Sequence, residues 1–140
     1  MKKEVLNIAR EREFLSTSCK KLLDDTMQDI EIIAKEMKLT KEQKEAFRQR
    51  SAAAIAFGNL KAENQYLSRT NDDFGKRKIE KNKLKMASIN HVYQDNYPEV
   101  KAFEQEANKK LAERRAEREK AQANEAKKAP ARTPAKKKAA

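Results

Sequence analysis

Only two glycines, Gly58 and Gly75, and three prolines punctuate a chain of 140 residues. The intervening stretches are rich in Ala, Lys, Glu, Leu and Gln and poor in the β-branched residues that favour strands. So few breaks, set among helix formers, point to an all-α protein of long helices. Apolar content is 38% and mean hydropathy is −1.05, which leaves enough for a small core, or for one completed by a partner.

Hydrophobic periodicity sets the order of the elements. From Lys2 to Met37, Val5, Ile8, Leu15, Cys19, Leu22, Met27 or Ile30, Ile33 and Met37 recur near a helical spacing, interrupted by Arg12. This predicts one continuous amphipathic helix roughly 50 Å long, at 1.5 Å per residue. Its seam is expected to pack on the next helix and, through residues 5–37, on a protein partner or a second copy in coiled-coil fashion. Thr40-Lys41-Glu42-Gln43 has the form of a capping box, which starts the second helix at Lys41. That helix carries Phe47, Ala54, Phe57 and Leu60, with Ala52, Ala53 and Ala56 slimming it for close approach to the first helix in an antiparallel hairpin. Gly58 is read as an interior glycine, and the helix is expected to run to about Leu67.

The turn-forming cluster Ser68 to Gly75 marks the clearest break. The expected organisation is a near-neutral helical hairpin or oligomerisation region (1–70), a turn or hinge (71–75), a basic helical region (76–126) and a disordered Lys/Ala/Pro tail (127–140). Within the basic region, a third helix from about Lys76 to Tyr93 presents Ile79, Met86, Ile89 and Tyr93 on one face. A fourth starts near Pro98, because proline suits a first helical turn and Glu99 complements the helix dipole. Val100, Phe103, Ala107 and Leu111 form its stripe.

Charge is distributed unevenly. Residues 1–75 hold 14 Lys/Arg against 13 Asp/Glu, and residues 76–140 hold 19 against 9. The front is therefore near neutral and the rear is strongly basic. Lys76, Arg77, Lys78, Lys81, Lys83 and Lys85 place six cations in ten positions, with Glu80 the one acid among them. Lys127, Lys128, Arg132, Lys136, Lys137 and Lys138 place six more in a fourteen-residue tail without acids or a core-forming residue. Two such elements suit phosphate contact without base reading.

The tail's KAP and PAKKKAA pieces resemble the Lys-Ala-Pro tails of linker histones and of some bacterial nucleoid proteins. The likeness is compositional and covers about a tenth of the chain. It implies a polyanionic partner for the tail.

Other chemistry finds little support. Cys19 is the only cysteine and His91 the only histidine, so neither a disulfide nor a multi-histidine metal site can form within the chain. Asp24, Asp25 and Asp29, and separately Asn71, Asp72 and Asp73, lack the spacing of a calcium loop. No Gly-rich phosphate loop or nucleophile-base motif is present, and no cofactor is expected. Tyr93, Tyr97 and Phe103 flank the basic region and suit either base stacking or the core, with the core favoured. The longest nearly uncharged stretch, Ser51 to Leu60, is about half of what a membrane span needs.

Taken together, the sequence predicts a non-enzymatic protein that binds DNA or RNA through phosphates and lies in the cytoplasm or on nucleic acid. The rival expectation is a structural or interaction subunit of a large assembly or virion, with its helices packed against protein.

Overall fold

In the computed structural model, which describes residues 5–70 and 72–128, every regular element is an α-helix. In chain order these are α1 (Ile8–Glu13), α2 (Thr17–Glu36), α3 (Lys41–Ser68), α4 (Asp73–Asp95), α5 (Tyr97–Val100) and α6 (Glu104–Lys128). They form two compact units, one extending through Glu104 and the other beginning at Gln105. The division falls inside the region 76–126 that the sequence groups together.

The first expected helix is two helices. Ser16 adopts an extended conformation, and its Oγ accepts the backbone N–H of Cys19 at 3.3 Å. Ser16 is therefore an N-cap, and its own N–H is donated to Asn59 Oδ1 at 3.1 Å. The short polar side chains of Ser16-Thr17-Ser18 compete for backbone groups and favour a helix start at this point. Arg12, which interrupts the apolar seam, spans the break: Nε and Nη2 each lie 2.9 Å from a carboxylate oxygen of Asp24.

Restarting at Ser16 also shifts part of the seam. The core face of α2 is Leu23, Thr26, Asp29, Ile30, Ile33 and Ala34, whereas Leu22 is half-buried and Val5 is 67% exposed. Of the expected seam, Leu15, Ile30 and Ile33 are buried and Ile8, Cys19 and Met27 pack half-buried against the core, so the break displaces Leu22 and Val5 and leaves the rest of the seam in place.

α2 ends in a Schellman motif. Leu39 N–H is donated to Ala34 O at 2.9 Å and Lys38 N–H to Lys35 O at 3.3 Å, with Lys38 at φ 53°, the left-handed position that glycine usually fills. Thr40 then caps α3 as expected. Its Oγ1 accepts Gln43 N–H at 3.1 Å, and Gln43 Oε1 accepts Thr40 N–H at 2.9 Å.

α3 is the central element, packing against α2 on one side and most extensively against α4 on another. The alanines make both approaches possible: Ala52, Ala53 and Ala56 are buried with Leu15, Leu23, Leu60 and Ile89 in one cluster, while Ala54 is exposed. Small side chains let helix backbones come close and so serve two neighbours, not only the first helix. Gly58 lies inside α3, and the helix continues to Ser68.

The break between α3 and α4 is shorter than expected. Asp72 caps α4 by accepting Gly75 N–H at 2.6 Å, so Asp73, Phe74 and Gly75 form a first helical turn and are not part of a hinge. Gly75 is buried here: a Cβ on it would lie 2.8 Å from both Asp72 Oδ1 and Thr70 Oγ1. Asn71 lies outside the described residues.

The expected fourth helix is also divided. α5 begins at Tyr97 with Pro98 in its first turn, Phe103 N–H then turns back to Val100 O at 3.0 Å, and α6 starts at Glu104. Val100 and Phe103 are buried, and Phe103 meets Phe47 edge to face with centroids 5.9 Å apart. From Gln105 the second unit is one highly charged helix that runs through Lys128, past the expected onset of the tail at Lys127. The remainder of the tail, 129–140, lies outside the described residues.

Candidate nucleic-acid interface

α4 supplies the basic face, and its packing decides which cations are available. One side turns inward: Ile89, Val92, Asn82 and Gly75 are buried, and Ile79, Met86 and Tyr93 are half-buried. Asn82 is the polar member of this side, its Nδ2 donating to Glu63 Oε1 at 3.1 Å and Asn64 Oδ1 at 2.9 Å. The expected apolar stripe is thus the packing side, with Asn82 and Val92 added to it.

The rest of the helix circumference displays Lys76, Arg77, Lys78, Lys81 and Lys83, all exposed. Lys76, Lys78 and Lys81 have no ion-pair partner among the described residues. Lys83 Nζ lies 3.4 Å from Glu80 Oε1 with both side chains well solvated, a pairing of little energetic weight. Arg77 Nε reaches only the backbone oxygen of Asp73, at 3.4 Å. These five cations share a helix rising 1.5 Å per residue, so they cover roughly 10 Å of axis, a spacing suited to successive phosphates.

Lys85 behaves differently. It is half-buried, its Nζ lies 3.2 Å from Glu11 Oε2, and it sits 4.3 Å from the centroid of the Phe14 ring. It fastens α1 to α4 and stands apart from the free cations, because a residue already neutralised releases little counterion. Lys127 and Lys128 close α6, while Arg132, Lys136, Lys137 and Lys138 lie outside the described residues.

The aromatic residues beside the basic helix turn inward. The Arg50 guanidinium stacks 3.8 Å from the Tyr93 ring centroid and 4.9 Å from that of Tyr97, donates Nη1 to Tyr93 O at 2.8 Å, and pairs through Nη2 with Glu104 Oε1 at 2.6 Å. Tyr93, Tyr97 and Phe103 thus serve the core, as the favoured expectation held. The rings left in solvent are Phe14, Tyr66 and Phe74, which the sequence reading passed over. A polar neighbourhood at each helix end was the available signal.

Two exposed carboxylates are tuned by cations on other helices. Arg12 hydrogen-bonds Asp24 and holds its carboxyl below the usual range. Lys44 Nζ, 3.1 Å from Glu31 Oε2, does the same for Glu31, with Arg48 assisting at 3.3 Å. Among the described residues, no group of three or more His, Cys, Asp or Glu is placed to hold a metal ion, and no helix is long and apolar enough to cross a membrane.

Comparison with known proteins leaves the interface to be judged on its chemistry: no protein-family model, curated protein or solved structure matches the chain.

Proposed function

We propose that the protein binds DNA or RNA without catalysis, gripping the phosphate backbone through α4 and the basic tail. The observation that carries this reading is that Lys76, Lys78 and Lys81 are exposed and have no ion-pair partner among the described residues. Point cations spread around a solvated helix neutralise phosphates and displace counterions, and they contact no base edge, so affinity is expected to be indifferent to sequence. Changing Lys76, Lys78 and Lys81 to Glu tests this. Affinity for unrelated sequences should fall together, and a loss confined to one sequence would contradict it.

A second reading is a structural subunit whose helices pack against another protein. Val5 and Ile32, 67% and 40% exposed within residues 5–37, favour it. Absence of nucleic-acid binding at low salt would leave this reading standing alone.

A further inference from the structure

We infer that the tip of the α3–α4 hairpin is a site for single-stranded nucleic acid, in which unpaired bases stack on Tyr66 and Phe74 while Arg69, Lys76 and Lys78 hold the phosphates. The inference rests on the nucleic-acid reading above and names the form of nucleic acid that the same helix takes.

The tip is open and cationic. Among the described residues from Lys61 to Lys81, only Gly75 is buried, so this end of the hairpin is two helices packed on each other with their outer sides in water. Tyr66 lies in the last turn of α3 and Phe74 in the first turn of α4, and they are 66% and 70% exposed. Exposed rings of this size lie in contact with water that a flat apolar ligand would displace. Arg69, Lys76 and Lys78 have no acidic partner among the described residues. Aromatic platforms interleaved with free cations are the combination that holds single strands regardless of sequence, since every base has a π-face.

The described residues on either side of Asn71 are tied down by hydrogen bonds. Asp72 Oδ1 accepts Gly75 N–H at 2.6 Å, Thr70 Oγ1 donates to Leu67 O at 2.8 Å, and Arg69 N–H is donated to Tyr66 O at 3.1 Å. These bonds set where each ring leaves its helix, so little ordering is left for binding to supply. The acids at the tip are Asp72 and Asp73. Asp72 is committed to the Gly75 cap, and Asp73 sits in the first turn of α4, where the positive helix end offsets its charge.

The alternatives fit less well. A duplex hides its base faces in the stack, so the two rings gain nothing from it. An anionic lipid surface would gain the burial of only two rings, too little apolar area to hold a surface helix in a bilayer interface.

The test uses the full chain, with an oligothymidylate of roughly twenty nucleotides, a mixed-sequence duplex of the same length, and phosphatidylserine vesicles as probes. Tyr66→Leu with Phe74→Leu removes the π-faces and keeps apolar bulk at exposed positions, and circular dichroism checks that the helices persist. The unmodified chain should prefer the single strand. The double variant should lose about five-fold or more per ring on the single strand and keep its duplex affinity. Unchanged single-strand affinity, or equal losses on both forms, overturns the stacking site, and phosphate binding survives if Lys76→Glu, Lys78→Glu and Lys81→Glu together still weaken both. Ring-dependent vesicle binding without a single-strand preference also overturns it, in favour of a lipid surface. Failure of the unmodified chain to bind either nucleic acid removes the parent reading as well.

Discussion

Arg50 Nη2 lies 2.6 Å from Glu104 Oε1, so the middle of α3 is tied to the first residue of α6 by a charge-assisted hydrogen bond. The Arg50 side chain is 7% exposed and that of Glu104 23%, so the pair is largely shielded from screening. Tyr93 and Tyr97 flank the guanidinium with their rings, and Tyr93 O takes a second donor. A planar fork with several donors meets all of these demands, and an ammonium cannot.

Arg50→Ala is therefore expected to destabilise the fold by about 3 kcal/mol, in the range for breaking a buried pair by removing one partner. Arg50→Lys should recover less than half of that loss. Glu104→Gln should cost less than Arg50→Ala, because the amide oxygen still accepts. Denaturant unfolding of the three variants checks the order, and full recovery by lysine would refute it.

The two glycines should respond in opposite directions. A Cβ at Gly58 meets nothing within 4 Å, so Gly58→Ala should stabilise α3 by up to about 1 kcal/mol through helix propensity. A Cβ at Gly75 would collide with Asp72 Oδ1 and Thr70 Oγ1, and Gly75→Ala should loosen the α4 cap and lower stability. Thermal unfolding distinguishes the two signs.

Lys38 offers a third site for stabilisation. Its φ of 53° costs a side-chain-bearing residue roughly 1 kcal/mol that glycine does not incur. Lys38→Gly should raise the melting temperature while leaving the far-ultraviolet spectrum unchanged. A fall in melting temperature would mean that the lysine stem contributes more than the backbone strain costs.

Acid sensitivity should trace in part to Asp24 and Glu31. Both carboxyls titrate lower in the fold than in the unfolded chain, Asp24 through the Arg12 hydrogen bond and Glu31 through Lys44. The folded state thus holds fewer protons, so their stabilisation is complete above the ordinary carboxylate range near about pH 4 and is lost as pH falls through the depressed values. Asp24→Asn with Glu31→Gln should flatten this part of the stability curve. The effect is modest because both groups are exposed, and added salt should shrink it further.

How much of this was legible in the sequence depended on whether the determining interactions were local. The Thr40 capping box, the start of α3 and the tolerance of Gly58 are settled within a few residues, and the structure places them as the pattern predicts. The division at Ser16 was also locally signalled, by three consecutive short hydroxyl residues, but the apolar seam running across it was the louder pattern. Leu23 replaces Leu22 in the core for that reason. The role of Lys85 was not legible: its neutralisation by Glu11 joins positions far apart in sequence, and a charge run does not reveal which member faces a neighbouring helix. The same holds for the aromatics, since only the fold shows that Arg50 claims Tyr93 and Tyr97 and that Tyr66 and Phe74 remain outside.

The central claim is phosphate contact by α4 and the tail, and the most direct measurement is nucleic-acid affinity as a function of salt, for the full chain and for a chain ending at Ala126. Log affinity should fall linearly with log salt, with a slope on duplex DNA near about −0.9 per phosphate neutralised. The shortened chain, which lacks Lys127 to Ala140, should give a shallower slope, and Lys76, Lys78 and Lys81 changed to Glu should make it shallower still. A slope near zero, or no binding at low salt, would contradict the account.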